Sequence, residues 1–542
     1  MTAPTVPKGA KQGAEAPAPA GVEASIWTER RVSARVNGVE GGKWFSLMDK
    51  VCAPKTLASA WEKVRANQGA AGVDGQRVEL FEAQAGTYLA ELAEELRTGR
   101  YRPEAVRRVD IPKGDGKTRP LGIPTVKDRI VQGAAKLLLE PIFEVQFLET
   151  SYGFRPGRGC KDAPREVDGL LRQGYTHVVD ADLKSYFDSI PHGLLMARVG
   201  EHISDGRVLG LLEGWLKQDI LQGMERWTPD GGIPQGAVIS PLLANLYLHP
   251  LDVRRMAQGH RMVRYADDFV ILCASREEAE AALAAVRRWV EANGLELHPG
   301  KTPVGDCREE GQGFEFLGYR FEAGRRWVRQ NSLKRIKDAI RAKTGRSRGD
   351  SLKAIIADLN PTLRGWYAYF KQAHASTFRK LDGCVRRRLR AVLRKQDKRP
   401  GRGIGLGDHQ RWTNAFFAEA GLFALHSARL TDAHPRLGNH RLESRVRENR
   451  THGSEGGEAK AFPTPITRRD RDGGCFAFYP VPGQGDRISS PSPGAQASAP
   501  VARPCLFPSP VGRGVRVDLR TIKRLANTLK PSFVWLRTCV DN

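Results

Sequence analysis

The stretch VVDADLKSYFD, residues 178–188, decides the fold class, because it places two carboxylates within an apolar strand. Side chains alternate between the faces of a β-strand, so Asp180 and Asp182 share one face. Further along the chain, RYADDFVIL, residues 264–272, sets two adjacent aspartates at a turn between two apolar runs. Unpaired buried carboxylates are costly, and divalent cations such as Mg²⁺ are suitable partners for them. Two such strands side by side would form an acidic cluster able to hold two metal ions about 3.5–4 Å apart.

An alternative stays open, in which these aspartates are only turn or helix N-cap residues, because Asp is common at both positions. The surrounding pattern favours the cluster. Residues 175–320 alternate strand and helix patterns, whereas residues 331–399 carry apolar stripes at helical spacing. The latter segment holds 20 Lys and Arg against 5 Asp and Glu, so +15 of the formal net charge of +25 lies there. A basic face of this kind predicts a nucleic-acid partner.

Composition narrows the class of protein. The chain has 542 residues, of which 40% are hydrophobic and 27% charged, as expected for a multi-domain globular protein. No apolar run approaches the ~20 residues that a membrane helix needs, so we expect no membrane partner. The 8 cysteines lack paired spacing, which argues against a disulfide framework or a zinc site. We therefore expect a cytoplasmic, nucleoid-associated bacterial protein.

Seven ordered blocks of sequence resemble the reverse transcriptases encoded by group II introns, also called intron maturases. The blocks are IPKGDGKTRPLGIPTVKDRIVQ (111–132), SYGFRPGRGC (151–160), VVDADLKSYFDSIPH (178–192), GGIPQGAVISPLLANLYLHPLD (231–252), RYADDFVIL (264–272), GLELHPGKT (294–302) and FEFLGYRF (314–321). The segment LNPTLRGWYAYFK (359–371) resembles the maturase or thumb domain of that family. The resemblance covers about residues 45–425.

The resemblance implies an α+β fold: a right-hand polymerase with fingers and an antiparallel palm sheet, followed by an α-helical thumb or maturase domain. We expect disordered tails at both ends. The predicted segments are a disordered tail (1–42), an N-terminal helical extension (43–100), fingers and palm (101–325), a helical thumb or maturase domain (326–427) and a Pro- and Gly-rich tail of low order (428–542).

The resemblance also assigns catalytic roles. Asp182, Asp267 and Asp268 match the carboxylates that bind two Mg²⁺ ions, with Asp267 as a direct ligand and Asp268 in support. Asp180, two residues upstream of Asp182, would at most support these ligands without binding a metal ion, and a structural role is favoured for it. Lys301, in HPGKT, matches a lysine that protonates the pyrophosphate leaving group, although an exposed surface lysine is the alternative.

Further residues match contacts to the incoming nucleotide. Lys113 and Arg119 correspond to fingers residues that hold the triphosphate, where Arg binds phosphate oxygens as a fork and Lys acts as a point charge. Phe187 corresponds to an aromatic steric gate that excludes a 2′-hydroxyl, with a core aromatic as the alternative. Gln235 and Gly236 begin a turn-to-helix segment, in which glycine lets the backbone approach the templating base pair closely.

Several arginines are candidates for contacts to nucleic acid. In the glycine-rich loop we expect contacts to template phosphates, and on the basic helices we expect contacts to RNA. These candidates are Arg155, Arg158, Arg364, Arg386, Arg387 and Arg388. Among the interleaved aromatic residues, Trp366 and Phe370 fit a core position better than a base-stacking platform, whereas Tyr367 and Tyr369 fit either.

The function implied is an RNA-directed DNA polymerase that also binds its intron RNA, assisting splicing and target-primed mobility. The implied partners are group II intron RNA, an RNA template with a DNA primer, deoxynucleoside triphosphates (dNTPs) and target DNA, with a homodimer left open. Two alternatives remain: a reverse transcriptase of another bacterial retroelement or CRISPR locus, and a splicing-only RNA-binding maturase. Because no paired cysteines or periodic pattern follow residue 430, we expect no endonuclease domain.

Overall fold

The computed structural model of the chain describes residues 26–28, 31, 34, 42–112, 118–300, 302–401 and 403–433. These residues form an N-terminal group of helices, two mixed regions of sheet and helix, and a helical C-terminal region. The predicted α+β fold with a helical region after the sheets is confirmed.

The N-terminal helices pack onto the long helix that follows the first hairpin. In chain order the elements are α1 (Met48–Val51), α2 (Pro54–Asn67), α3 (Val78–Ala83), α4 (Ala85–Thr98), β1 (Val106–Pro112), β2 (Thr118–Ile123) and α5 (Val126–Glu144). Helix α5 begins where the Thr125 hydroxyl accepts a hydrogen bond from the Asp128 N–H at 3.1 Å. Strands β1 and β2 are antiparallel from Arg107 opposite Ile123 to Pro112 opposite Thr118.

The prediction of a disordered tail over residues 1–42 is wrong at Ile26 and Trp27. Both side chains are buried in the main hydrophobic core. The indole Nε1 of Trp27 donates a hydrogen bond to the carbonyl of Leu137 at 3.0 Å, and its ring packs edge-on against Trp44. Isolated apolar residues in a Pro- and Ala-rich segment carry no periodicity, so this docking depends on a partner 110 residues away.

The central region contains a sheet with helices of this region on both faces, and one of these faces also meets the C-terminal region. Its elements are α6 (Ala163–Arg172), β3 (His177–Asp182), α7 (Tyr186–Ser189), α8 (His192–Gly200), α9 (Gly206–Leu216), β4 (Ile220–Gln222), β5 (Glu225–Trp227), α10 (Ser240–Ala257), β6 (Arg261–Tyr265), β7 (Asp268–Cys273), α11 (Arg276–Ala292) and β8 (Val304–Asp306).

The palm sheet has the strand order β6-β7-β3-β8, and every neighbouring pair is antiparallel. Successive residues of β7 enter two different hydrophobic cores: Phe269 and Ile271 belong to one, and Val270 and Leu272 to the other. Burial on both faces explains the unbroken apolar run FVIL. Strands β4 and β5 instead extend the hairpin of β1 and β2 into a second sheet, in the order β2-β1-β4-β5.

A small antiparallel sheet leads into the C-terminal helices. The elements are β9 (Phe314–Phe316), β10 (Tyr319–Glu322), β11 (Arg325–Val328), α12 (Gln330–Lys343), α13 (Leu352–Phe370), α14 (Ala375–Gln396), α15 (Leu406–Arg411), α16 (Asn414–Glu419) and α17 (Leu425–Ala433). The stripes of α12, α13 and α14 are buried, for example at Ile340, Leu359 and Leu389. Helix α17 crosses the predicted boundary at residue 427, and residues 434–542 of the predicted tail lie outside the described residues.

Candidate active site

The palm sheet brings the predicted carboxylates together at one end of two neighbouring strands. Asp182, the last residue of β3, lies directly opposite Asp268, the first residue of β7. Asp267 precedes β7 in a two-residue turn, since Tyr265 and Asp268 are paired across the hairpin. Asp180 lies two pairs further in, opposite Val270. The strand pairing therefore brings these carboxylates together, as the sequence predicts.

These carboxylates lie in a cleft of about 770 Å³ between the two sheets. Residues from the fingers hairpin, the palm strands and the segment before α10 line the cleft together. The predicted site residues that line it are Arg119, Asp182, Phe187, Gln235, Gly236, Asp267 and Asp268. Asp180 also lines it, although the sequence favours a structural role for this residue.

The cleft concentrates negative charge that the nearby cations balance only in part. Burial raises the pKa of Asp268 well above its ordinary value, and the charges of Asp180, Asp267 and Asp182 raise it further. Burial also raises the pKa of Asp267, and Asp182 adds to this, whereas Arg119 opposes it. Within the part of the chain that the structure describes, no group of three or more His, Cys, Asp or Glu side chains has a ready-made metal-binding arrangement.

The predicted gate residue Phe187 lies beside the carboxylates and is partly buried. Its ring packs edge-on against Phe154, with ring centres 6.5 Å apart, and against Tyr186 at 5.5 Å. Phe154 in turn contacts Tyr265 of the aspartate turn. The ring therefore lies within an aromatic group but still reaches the cleft surface.

A glycine is required at position 236 by the close packing of its segment against the fingers hairpin. Its φ is +108°, and a Cβ there would lie 2.6 Å from the carbonyl oxygen of Gly122 in β2. The Gly122 N–H donates a hydrogen bond to the carbonyl of Gln235 at 2.6 Å. The close approach is thus to the fingers hairpin, which this segment joins to the palm. Contact with a templating pair stays a prediction.

Two predicted residues cannot be placed. Lys113, in the turn between β1 and β2, and Lys301, after α11, lie outside the described residues. Among the described neighbours, Arg119 lies opposite Ile111 in the hairpin, and Ile111 and Gly300 line the cleft.

The predicted contact between Arg155 and template phosphate is wrong. The Arg155 side chain is 3% exposed and forms an ion pair with Glu144, with Nη2 and Oε1 2.8 Å apart. The remaining guanidinium donors bind the carbonyls of Leu148, Ser151 and Phe147. All donors are thus used inside the protein, so Arg155 anchors the loop to the end of α5 and is not available for template phosphate.

The other predicted arginines differ in how far the protein already uses them. Arg388 donates to the Thr344 carbonyl at 3.0 Å and to its hydroxyl, and so closes the C-terminal end of α12. Arg158 pairs with Glu149, and Arg364 stacks on Phe423. The last two predicted arginines, Arg386 and Arg387, are half-buried and exposed respectively.

The four aromatic residues of α13 all pack within the protein. Phe370 and Tyr367 are buried, and Trp366 packs against Phe370 at 4.9 Å. The Tyr367 hydroxyl donates to Asp432 at 3.0 Å, and the Tyr369 hydroxyl donates to the carbonyl of Leu317 at 3.0 Å. The core position expected for Trp366 and Phe370 is found, and the two tyrosines join it.

Sequence reasoning missed two residues that line the cleft and one that lies buried behind it. Arg329, just before α12, lines the cleft near Asp268 and lies 3.7 Å from Glu315. His298 also lines it, and its backbone N–H donates a hydrogen bond to the carbonyl of Asp182 at 2.8 Å. Arg264 lies beneath the aspartate turn and is fully buried. A charged residue inside an apolar strand was the available signal for Arg264.

Comparison with known proteins identifies two families within the chain. Residues 111–321 match the family described as reverse transcriptase (RNA-dependent DNA polymerase), and residues 333–406 match the group II intron, maturase-specific domain. Protein YkfC of Escherichia coli is 37% identical over 316 residues, covering 51% of this chain and 82% of YkfC. The group II intron-encoded protein LtrA of Lactococcus lactis is 35% identical over 202 residues, covering 37% of this chain and 33% of LtrA.

Solved structures give partial matches. A chain of the partial Cas6-RT-Cas1–Cas2 complex is 26% identical with a TM-score of 0.30, covering 45% of this chain and 41% of that one. A telomerase structure from Candida albicans is 13% identical with a TM-score of 0.33, covering 58% and 64%. No helix among the described residues has both the length and the hydrophobicity needed to cross a membrane.

Proposed function

The chain belongs to the family of reverse transcriptases with a maturase domain that group II introns encode, and on that premise we propose that it copies RNA into DNA at the palm cleft. The matched region spans only a third of LtrA. The activities of the whole protein, including assistance to splicing and mobility, are therefore part of the proposal.

One observation carries the proposal. The strand pairing places Asp182 opposite Asp268, with Asp267 in the adjoining turn, at the surface of a cleft that also contains Arg119. Acidic groups that meet a cationic fingers residue in a cleft suit the binding of a nucleoside triphosphate together with its metal ions. Burial first, and the neighbouring carboxylates second, raise the pKa values of Asp267 and Asp268, and a bound cation would stabilise their ionised forms.

The donor chemistry fits Mg²⁺. Polymerase sites hold this ion with one or two carboxylates together with substrate phosphates, and do not need a complete protein cage. Asp182 and Asp267 would hold the two ions, with Asp268 beside them. When bound, the ions would activate the primer 3′-hydroxyl and neutralise charge on the phosphates.

The remaining residues would position the substrates. Arg119 and Lys113 would bind the triphosphate, and the Phe187 ring would lie under the sugar and exclude a 2′-hydroxyl. The primer 3′-oxygen would attack the α-phosphate in line and release pyrophosphate, to which Lys301 would deliver a proton. Positioning and charge neutralisation supply most of the catalysis in such a transfer.

We propose that the basic C-terminal helices bind the phosphates of intron RNA and of the template–primer. Arg364 and Arg387 are exposed and Arg386 is half-buried, so these guanidinium groups can reach a phosphate. The match of residues 333–406 to the maturase-specific domain supports intron RNA as the partner. Target DNA would then be the primer source during mobility.

The test is extension of a DNA primer on an RNA template with dNTPs and Mg²⁺. Wild-type protein should extend the primer, and Asp182→Asn should not, because the amide cannot replace a charged ligand. Asp306→Asn is the control, since Asp306 pairs with His177 at the opposite end of β3. Wild-type protein that binds intron RNA but never extends a primer would favour the splicing-only alternative and overturn the proposal.

A further inference from the structure

The turn that carries Asp267 has an unfavourable backbone conformation. Ala266, the first residue of the two-residue turn, has a φ of +61°, in the left-handed region where an alanine is uncommon. Such residues persist where the surrounding structure fixes them, and they are concentrated at functional sites. The contacts that hold Ala266 therefore also determine where Asp267 lies.

One of these contacts comes from Arg264, two residues earlier. Its Nη1 donates to the Ala266 carbonyl at 2.9 Å and to the Asn245 Oδ1 at 2.9 Å. On the other side of the guanidinium, Nε donates to Asp252 Oδ1 at 2.8 Å, and Nη2 donates to Oδ2. Two residues of helix α10 therefore hold the guanidinium group of Arg264, while its Nη1 also donates a hydrogen bond to the turn.

The second contact comes from the loop on the other side of the turn. The Asn245 Nδ2 donates to the Gly153 carbonyl at 2.6 Å, so the same amide holds both the arginine and the loop. A Cβ at Gly153 would lie 2.3 Å from the backbone nitrogen of Ala266. Backbone hydrogen bonds between residues 150–152 and Arg264 keep the loop in register.

The arrangement is more elaborate than stability requires. A buried ion pair contributes little stability beyond what an apolar pair of similar size would give. The Arg264 pair, however, ends in a hydrogen bond to the strained residue next to Asp267. A site that must hold a cation needs its ligand fixed before the cation arrives.

We propose that Arg264 is a positioning residue which, together with Asn245 and Gly153, fixes the Ala266–Asp267 turn so that the Asp267 carboxylate is preorganised for a divalent cation. The proposal deepens the proposed function and depends on it for the identity of the cation. It requires no new chemistry, because Arg264 is fully buried and acts on the site only through the turn.

The experiment measures cation binding and stability separately. Mn²⁺ binding is followed by the electron paramagnetic resonance signal of the free ion, and stability by thermal unfolding, with full-length wild type, Arg264→Lys and Gly153→Ala. The lysine keeps the charge but cannot reach Asp252 and the turn together, and the alanine pushes on Ala266 from the opposite side. Both variants should weaken Mn²⁺ binding by roughly ten- to a hundredfold, and should raise the Mg²⁺ concentration needed for primer extension in parallel.

Matched controls separate positioning from a general loss of stability. Arg326→Lys removes part of another ion pair, which is partly buried and in which Arg326 Nη2 lies 3.0 Å from Asp168 Oδ2. Neither residue lines the cleft. Gly169→Ala adds a methyl group on helix α6, where nothing lies within 4 Å. These variants should leave Mn²⁺ affinity unchanged, even where Arg326→Lys lowers the unfolding temperature.

The possible results lead to different conclusions. Unchanged Mn²⁺ affinity in folded Arg264→Lys and Gly153→Ala overturns the positioning role, and so does a wild-type protein that binds no Mn²⁺. If Arg264→Lys does not fold, Gly153→Ala decides by the same measurement. A wild type that binds Mn²⁺ but does not extend a primer refutes the proposed function, while the affinities of the variants still test the positioning role.

Discussion

The palm cleft and the C-terminal helices are both rich in charge but use it in opposite ways. In the palm, strand register forces Asp182 and Asp268 side by side, and burial raises the pKa of Asp268. On the helices, some arginines donate to protein groups, as Arg388 does at the end of α12 and as buried Arg390 does to the Trp412 carbonyl at 2.9 Å. The comparison teaches that a count of charges predicts a charged region but not which charges remain for a ligand.

The largest expected effect separates the two regions directly. Asp267→Ala should lower primer extension by at least roughly a hundred- to a thousandfold, the loss typical when a group that stabilises transition-state charge is removed. RNA affinity should stay within about twofold, because the change leaves the basic helices intact. Extension assays and filter binding of intron RNA measure the two quantities. Parallel loss of primer extension and RNA binding would indicate a folding defect. It would contradict the prediction that the two regions act independently.

The second prediction concerns pH. Burial raises the pKa of Asp128 to about 6 from its ordinary 3.8, although Asp128 accepts hydrogen bonds from the Tyr101 hydroxyl at 2.6 Å and from Gln218 Nε2 at 3.1 Å. Because the folded protein holds this proton more tightly than the unfolded chain, the stabilisation is complete below about pH 4 and is lost as pH rises through 6. The two pKa values correspond to roughly 3 kcal/mol.

Urea unfolding of wild type and Asp128→Asn between pH 4 and 7 tests this prediction. The stability advantage of wild type should shrink as pH rises. In the C-terminal region the sign reverses, since hydrogen bonds from Lys343 and Arg348 lower the pKa of Asp358. The stabilisation from Asp358 is complete above its ordinary pKa of 3.8 and is lost only as pH falls below that value. The stability difference between wild type and Asp358→Asn should therefore stay constant from pH 4 to 7, which makes Asp358→Asn the matched control. A pH-independent difference for Asp128→Asn would contradict the assignment.

The third prediction treats an arginine that the protein already uses. Arg388→Ala should lower the free energy of unfolding by about 1–3 kcal/mol, because it leaves the terminal carbonyls of α12 without their donor. Chemical denaturation provides the measurement. RNA affinity at a temperature where the variant is folded should change little. A stable Arg388→Ala protein with weak RNA binding would show that this arginine faces the ligand.

The smallest effect is expected for the neighbouring arginines. Changing Arg386 and Arg387 together to Ala should weaken RNA binding and lower the dependence of log affinity on log salt by about 0.7–0.9 for each phosphate that these side chains neutralise. Stability should change by less than about 0.5 kcal/mol at exposed Arg387. Affinity measured at several salt concentrations gives the slope, and an unchanged slope would show that neither arginine binds a phosphate.

Much of the fold could be predicted because it depends on local patterns. Alternation in residues 178–183 placed Asp180 and Asp182 on one face, and the apolar run after Asp268 indicated a buried strand beside them. Helical stripes likewise identified α12 to α14. The predicted roles of Lys113 and Lys301 stay predictions, since both residues lie outside the described part of the chain.

The errors arose where a side chain meets a partner from another element. Arg155 has the residue type that typically binds phosphate. Its donors, however, all form hydrogen bonds to Glu144 and to three carbonyl oxygens of the protein. Trp27 lies in a segment with no periodicity and still docks onto α5 through Leu137. Neither contact leaves a periodic signal, because each joins residues whose spacing follows no helix or strand repeat.

The sequence by itself determined which residues are acidic, basic or apolar, and at what spacing they recur along the chain. These two properties are enough to predict the order of strands and helices. Tertiary structure alone decided which charges remain for a ligand. The physical reason is that a guanidinium or carboxylate group can be satisfied by water, by ligand or by protein, and the choice depends on what folding brings within hydrogen-bonding distance. Arg264 shows this most clearly, since Asp252, Asn245 and Ala266 surround it only in the folded chain.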